Sequence, residues 1–209
     1  MFNFFKRNLK FWIISLILGG IFGFILYFLL PPVYEAKVRC LPNFSQSGAS
    51  ASSLIGVLTG TQSGENVLQI SLAIIKSDRM ADDIVKKFNL MEYFKVKDLS
   101  KARKKVKKIL KIKINPMEGT MEIKVRIGDP NLAADIANFC VKNVDRLNEK
   151  INLSNVKPIL KVIDPAIPPK EKFFPKIEVL VPLFSFLFFI VTVFILAFKE
   201  WTKHGGGIE

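Results

Sequence analysis

Two long apolar stretches separated by a middle of mixed polarity set the pattern of this chain. Residues 11–30 and 177–198 carry no charged side chain in one case and a single Glu178 in the other. About 20 helical residues at 1.5 Å per residue cover a hydrocarbon core of roughly 30 Å, so each stretch predicts a transmembrane helix. In the second, Phe184, Phe186, Phe188, Phe189, Phe194 and Phe198 point to every side of a helix, a surface that lipid accepts all round. The first follows a basic start of Lys6, Arg7 and Lys10, but Leu29-Leu30-Pro31-Pro32 offers no small-residue cleavage site and the apolar run exceeds a signal peptide's, so it reads as an anchor. Residues 31–176 then form one domain on one side of the membrane, with residues 1–10 and 199–209 on the other.

Inside the domain the period of the pattern changes from segment to segment. Residues 33–41 alternate, with Tyr34, Ala36, Val38 and Cys40 on one side and Glu35, Lys37 and Arg39 on the other, which predicts a half-buried strand. Residues 42–66 are rich in Ser, Gly, Gln and Thr and read as a loop; its apolar island at residues 54–58 is a candidate contact for a neighbouring subunit or the membrane face. Helical spacing through Leu68, Leu72, Ile75, Ile84, Val85 and Phe88 follows, with Ser77 or Asp78 capping a second segment. A lysine-rich helix, with Val106, Ile109 and Leu110 as its apolar stripe, leads into short strands at residues 112–115 and 120–127, a hairpin turned by Asn115-Pro116 and Glu118-Gly119. Asp129-Pro130 starts a helix to about Lys150 whose apolar face is Ala133, Ile136, Ala137, Cys140, Val144 and Leu147. Residues 158–163 make a last strand. The order strand, helix, strand, strand, helix, strand predicts an α+β domain of the ferredoxin-like, split βαβ class between the two transmembrane helices.

Charge adds orientation and a class of partner. The net charge is +13, concentrated in residues 101–111. That run reads either as a solvated helix face or as a surface for an anionic partner such as lipid headgroups, lipid pyrophosphates or acidic glycans. No aromatic residues interleave it, so no nucleic acid is expected as a partner. Lys6, Arg7 and Lys10 before the first span, and Lys199 and Lys203 after the second, place both ends in the cytoplasm; Lys170, Lys172 and Lys176 oppose this, but a domain of this length translocates largely regardless of charge. The expected location is the cell's inner (cytoplasmic) membrane, with two passes and an extracytoplasmic main domain. Cys40 and Cys140 are open to two readings, a disulfide across a long loop or two small core hydrophobes.

No catalytic constellation is legible. The single His204 stands beside Gly205, Gly206 and Gly207 in the tail, and neither His/Cys metal spacing nor a phosphate loop occurs, so no catalytic residue, cofactor or metal is expected. Glu35 and Asp164 flank the two junctions with the spans and are the nearest candidates for a carboxylate pair, against the reading that they are solvated or salt-bridged to the many lysines. In the first span Ser15, Gly19 and Gly23 recur every four residues and line one helix face, where a second backbone, from span two or a neighbour, can approach closely.

Residues 164–176 join the last strand to the second span through Pro165, Pro168, Pro169, Pro175 and Lys176, an extended and stiff lead-in. With Pro32-Val33-Tyr34-Glu35-Ala36, residues 74–79 and the stretch from Asp129 to Asn138, this lead-in resembles the Wzz-type chain-length determinants, or polysaccharide co-polymerases. Larger members insert a long membrane-distal helical hairpin between the last helix and last strand, where this chain has only residues 151–156. The resemblance implies a non-enzymatic scaffold that forms a homo-oligomer in membrane lipid, works with a polysaccharide polymerase or export machinery, and regulates chain length, assembly or export of a cell-surface polysaccharide. The same resemblance allows an adaptor that activates a separate cytoplasmic tyrosine kinase, and topology alone allows a two-pass sensor. It also marks Pro165, Pro168, Pro169, Pro175 and Lys176 as the motif that carries function.

Overall fold

The computed structural model describes residues 9–43, 63–151 and 157–205. The N-terminal lysine and arginine, most of the Ser/Gly-rich loop with its apolar island, the 152–156 remnant and the His204 side chain lie outside the described residues. The chain divides into two compact units, residues 33–172 and a pair formed by residues 1–32 with 173–209.

The second unit is a helix pair. Helix α1 (Leu9–Leu29) and the helix at the far end of the chain, Ile177–Gly205, are both long and apolar enough to cross a membrane. The latter continues past Phe198 well into what the sequence assigns to the tail.

In the domain, strand β1 (Tyr34–Pro42) is followed by helices α2 (Ser63–Lys76), α3 (Asp78–Lys87), α4 (Leu90–Tyr93) and α5 (Leu99–Ile109). Strands β2 (Leu110–Asn115) and β3 (Thr120–Ile127), helix α6 (Pro130–Ile151) and strand β4 (Leu160–Asp164) complete it, and α7 names the helix at 177–205. The four strands form one antiparallel sheet in the order β2-β3-β1-β4. Alternation fixes which face is covered. Ala36, Val38 and Cys40 from β1 and Met121, Ile123, Val125 and Ile127 from β3 are buried against the helices, together with Ala133, Ile136, Ala137, Cys140, Val144 and Leu147 of α6. Local chemistry sets the helix ends: Ser77 accepts from the Met80 amide at 3.1 Å, and Asp129 Oδ1 accepts from the amides of Asn131 and Leu132 at 2.8 and 3.2 Å.

Several sequence expectations shift. Leu110 is not the end of the lysine-rich helix but the first residue of β2, and the buried stripe of α5 is Ala102 and Val106. Pro42 belongs to β1 and Ser63 to Asn66 to α2, which shortens the expected loop at both ends. The last strand begins at Leu160 rather than Pro158 and includes Asp164. Cys40 and Cys140 are buried free thiols, each pushed up to about 12 by burial, so they act as small core hydrophobes.

Candidate functional site

The lead-in leaves β4 at Asp164. Within the domain Pro165 and Pro168 are exposed and Pro169 is half-buried. What holds this stretch is an amide, not a proline. The Asn138 side chain of α6 donates from Nδ2 to the Ala166 carbonyl at 2.8 Å and accepts the Ala166 amide at Oδ1 at 2.9 Å. A carboxamide carries one donor edge and one acceptor edge, which matches the backbone C=O and N–H of one residue at once. Ala166 is itself buried, so its peptide depends on this partner. Seven residues along α6, Asp145 accepts the Ile159 amide at 2.7 Å, and the Ile159 carbonyl accepts the Asn43 amide at 2.8 Å. Strand β4 has five residues and pairs only with β1, through a register shift between Arg39 and Cys40. Two side chains of α6 therefore fasten both ends of a short edge strand, and Asn138 holds the end where the prolines begin. On the helix-pair side, Pro175 is buried and Lys176 exposed, the Lys176 carbonyl accepting the amides of Val179 and Leu180 at 3.2 and 3.0 Å as α7 starts.

The small residues of α1 meet α7. A Cβ built on Gly19 would lie 2.6 Å from the Phe184 oxygen and from Ser185 Cα, and one on Gly23 would lie 2.9 Å from the Leu180 oxygen. The backbones touch where side chains are missing. Ser15 is buried and spends its hydroxyl on its own helix, donating to the Trp12 carbonyl at 2.9 Å. Rings close the seam on either side: Trp12 lies 4.9 Å from Phe189, and Phe22 lies 5.3 and 5.7 Å from Phe184 and Phe188 between centroids.

The face of the sheet away from the helices carries the charge. One cross-strand row reads Lys37, Lys124, Lys111; the next reads Arg39, Glu122, Lys113. Glu122 accepts from Arg39 at 3.1 Å and pairs with Lys124 at 3.3 Å, while Glu35 accepts from Arg126 at 2.6 Å. Burial would raise the Glu122 carboxyl, but the hydrogen bonds and charges of Lys124 and Arg39 outweigh it and hold the group below its ordinary value. Glu35 and Asp164 are not brought together. Glu35 is taken by Arg126, and Asp164 stands opposite Arg39, four residues away along β1.

The lysine-rich helix is partly consumed by the fold. Arg103 binds both oxygens of Asp82 at 2.8 and 2.7 Å and reaches Asp78 at 3.1 Å, Lys107 also binds Asp78, and Lys105 donates to the Phe94 carbonyl at 3.1 Å. Lys101, Lys104 and Lys108 remain exposed. Among the described residues no group of His, Cys, Asp or Glu is placed to hold a metal ion.

Sequence reasoning missed Asn138 as a clamp, although it is the last residue of the Asp129-to-Asn138 stretch that carries the resemblance; the signal is an amide one position from the apolar face of a long helix. It also missed the lysine row, which needs two strand registers to be seen. No curated protein matches this chain. Residues 1–88, from the start of the chain through α1 and β1 to the C-cap of α3, match the model of the Wzz family, chain length determinant protein, which is the family that the sequence motifs resemble.

Proposed function

We propose that the protein is a non-enzymatic scaffold of the inner membrane that oligomerises and regulates the chain length, assembly or export of a cell-surface polysaccharide. The observation that carries this reading is the match of residues 1–88 to the chain length determinant family, which supports a role in polysaccharide biosynthesis. The motif lead-in lies beyond the matched residues, so its role rests on the resemblance and on the Asn138 clamp. Two helices of spanning length at the ends of the chain support a two-pass arrangement, and the basic residues at both ends support a domain outside the cytoplasm. The strand order β2-β3-β1-β4, with helices between β1 and β2 and between β3 and β4, supports the ferredoxin-like reading of the domain. A polymerase or export complex is the partner this role requires.

The test is genetic and direct. A strain lacking the protein should make surface polysaccharide of altered length distribution or amount, restored by the wild-type gene and not by Pro165→Ala/Pro168→Ala/Pro169→Ala at equal membrane abundance. Unchanged polysaccharide in the deletion strain would sink the reading. Topology is checked by impermeant thiol labelling of single cysteines introduced at Ser50, Asn3 and Thr202. The native thiols are buried and stay silent. Labelling only at Ser50 is expected in intact cells; labelling at Asn3 with protection at Ser50 would reverse the orientation. Detergent-purified protein that stays monomeric at every concentration would remove the oligomer.

A further inference from the structure

Lys37, Lys124 and Lys111 stand directly opposite one another on three adjacent strands. Neighbouring strands lie about 4.7–4.9 Å apart, so the row spans roughly 10 Å. Like charges facing each other across a ladder disfavour the pairing that places them there. The adjacent row avoids this by setting Glu122 between Arg39 and Lys113; the lysine row has no acid in its middle, and its relief is the one pair along β3 from Lys124 to Glu122 at 3.3 Å. Lys37 and Lys111 are exposed, as are Lys113 in the next row and Lys161 beyond it, opposite Leu41 on β4. None of these four has an acidic partner among the described residues, because Glu122 and Glu35 already serve Arg39, Lys124 and Arg126. Nothing in the fold needs three lysines in register.

We propose that this open face of the sheet is a binding surface for an acidic polysaccharide, with Lys37, Lys124 and Lys111 as its central row and Lys113 and Lys161 extending it. The inference rests on the polysaccharide reading above and adds to it the charge class of the polymer. A row of separate ammonium groups on a flat surface suits carboxylates or phosphates repeated along an extended chain. A single phosphate reaches only one or two of these groups. Lysine supplies movable point charges rather than the fixed fork of arginine, so such a surface grips a polyanion without reading its sugars. A lipid surface is the less favoured occupant. Interfacial binding adds buried apolar side chains to charge, and Leu41 is the only large apolar side chain that β1, β2 and β3 direct to this face.

The test uses the full chain in nanodiscs of zwitterionic phosphatidylcholine, so that no anionic lipid competes. Binding of oligogalacturonate is measured against neutral dextran, for the wild type, for Lys37→Gln/Lys111→Gln/Lys124→Gln, and for the charge-matched control Lys101→Gln/Lys104→Gln/Lys108→Gln on α5. The wild type should bind oligogalacturonate and not dextran, with affinity falling as salt rises, because exposed charges are screened over about 8 Å at physiological ionic strength. The ladder variant should bind roughly tenfold more weakly, as two exposed charges and the half-buried Lys124 are lost, and the control should bind like the wild type. The ladder variant should also melt close to the wild type, since the repulsion it removes offsets the lost Lys124–Glu122 pair, and this separates lost binding from lost folding. Equal loss in both triple variants, or none in either, overturns the proposal. So does a ladder variant that loses only its binding to phosphatidylglycerol vesicles, which assigns the face to lipid. These outcomes leave the chain-length reading intact, and that reading fails separately if the deletion strain makes normal polysaccharide.

Discussion

The helix pair and the domain solve the same problem, bringing two helices or a helix and a sheet together, by opposite means. In the domain, contact is made by adding side chains. Val38, Ile84, Ile123, Ile136 and Val144 are wholly buried between sheet and helices, and the apolar surface removed from water stabilises the fold at about 25 cal/mol per Å². In the helix pair, contact is made by removing them. Gly19 and Gly23 let the backbone of α1 reach that of α7, which matters where lipid tails give apolar surface no reason to hide. The difference teaches that the damaging substitution to look for is large to small in the domain and small to large in the helix pair.

The largest effect should come from the domain. Ile84→Ala empties a site with no exposure and is expected to cost about 2–5 kcal/mol, read as a lower denaturation midpoint of the purified protein. A cost below about 1 kcal/mol would mean that the helical layer is loosely packed and would blur the contrast.

Next comes the seam. Gly19→Leu places a side chain where even a Cβ lies 2.6 Å from backbone atoms, an overpacking expected to cost about 1–3 kcal/mol. Oxidative cross-linking of Gly20→Cys to Ser185→Cys is a suitable reporter, because a Cβ at Gly20 would sit 3.4 Å from Ser185 Oγ. Cross-linking should fall sharply with Gly19→Leu and persist with Phe194→Leu, whose parent side chain is exposed. Equal yields would show that the seam tolerates bulk as a surface does.

Asn138→Ala sharpens the comparison from a third side, since it removes a polar contact from an otherwise apolar layer. The expected loss of stability is about 1 kcal/mol, the low end for orphaned peptide groups, because the neighbouring Pro165 and Ile167 are exposed and water can reach the site. Proteolysis within residues 165–170 should accelerate more than global unfolding does. If both change in proportion, the amide is part of the general core.

The smallest effect is that of pH. The Glu122 carboxyl titrates below its ordinary 4.5 in the folded domain, so its ion pairs stabilise fully above that value and are lost as pH falls through the lower folded value. Glu122→Gln should therefore flatten the acid side of the stability curve by under about 1 kcal/mol, in keeping with partly exposed pairs. A loss of stability on the alkaline side instead would contradict the sign.

Much of the fold was legible because periodicity reports burial directly. Strands β1 and β3 alternate cleanly, α6 repeats at helical spacing after Asp129-Pro130, and Ser77 marks the break between α2 and α3. Boundaries were less legible for a physical reason. Leu110 is apolar and serves equally as the last turn of α5 or the first residue of β2, and only the pairing of Leu110 with Val125 decides. Helix α4 is a four-residue turn entered through Asn89 with φ of 49°, too short to show any period. The clamp and the lysine row were hidden for another reason. Each joins residues far apart in sequence, 28 positions in one case and up to 87 in the other, and neither partner looks unusual alone.

Asn138 holds the backbone N–H and C=O of residue 166 and makes no hydrogen bond to its side chain, and this has an evolutionary consequence. The course of the lead-in is written in α6 as well as in its prolines, so any one of them can shift to a neighbouring position while the path persists. Residue 138 has less freedom, since aspartate at that position keeps an acceptor for the amide but sets a carboxylate against the Ala166 carbonyl. Among descendants of this chain, the amide in the helix should outlast any single proline it steers.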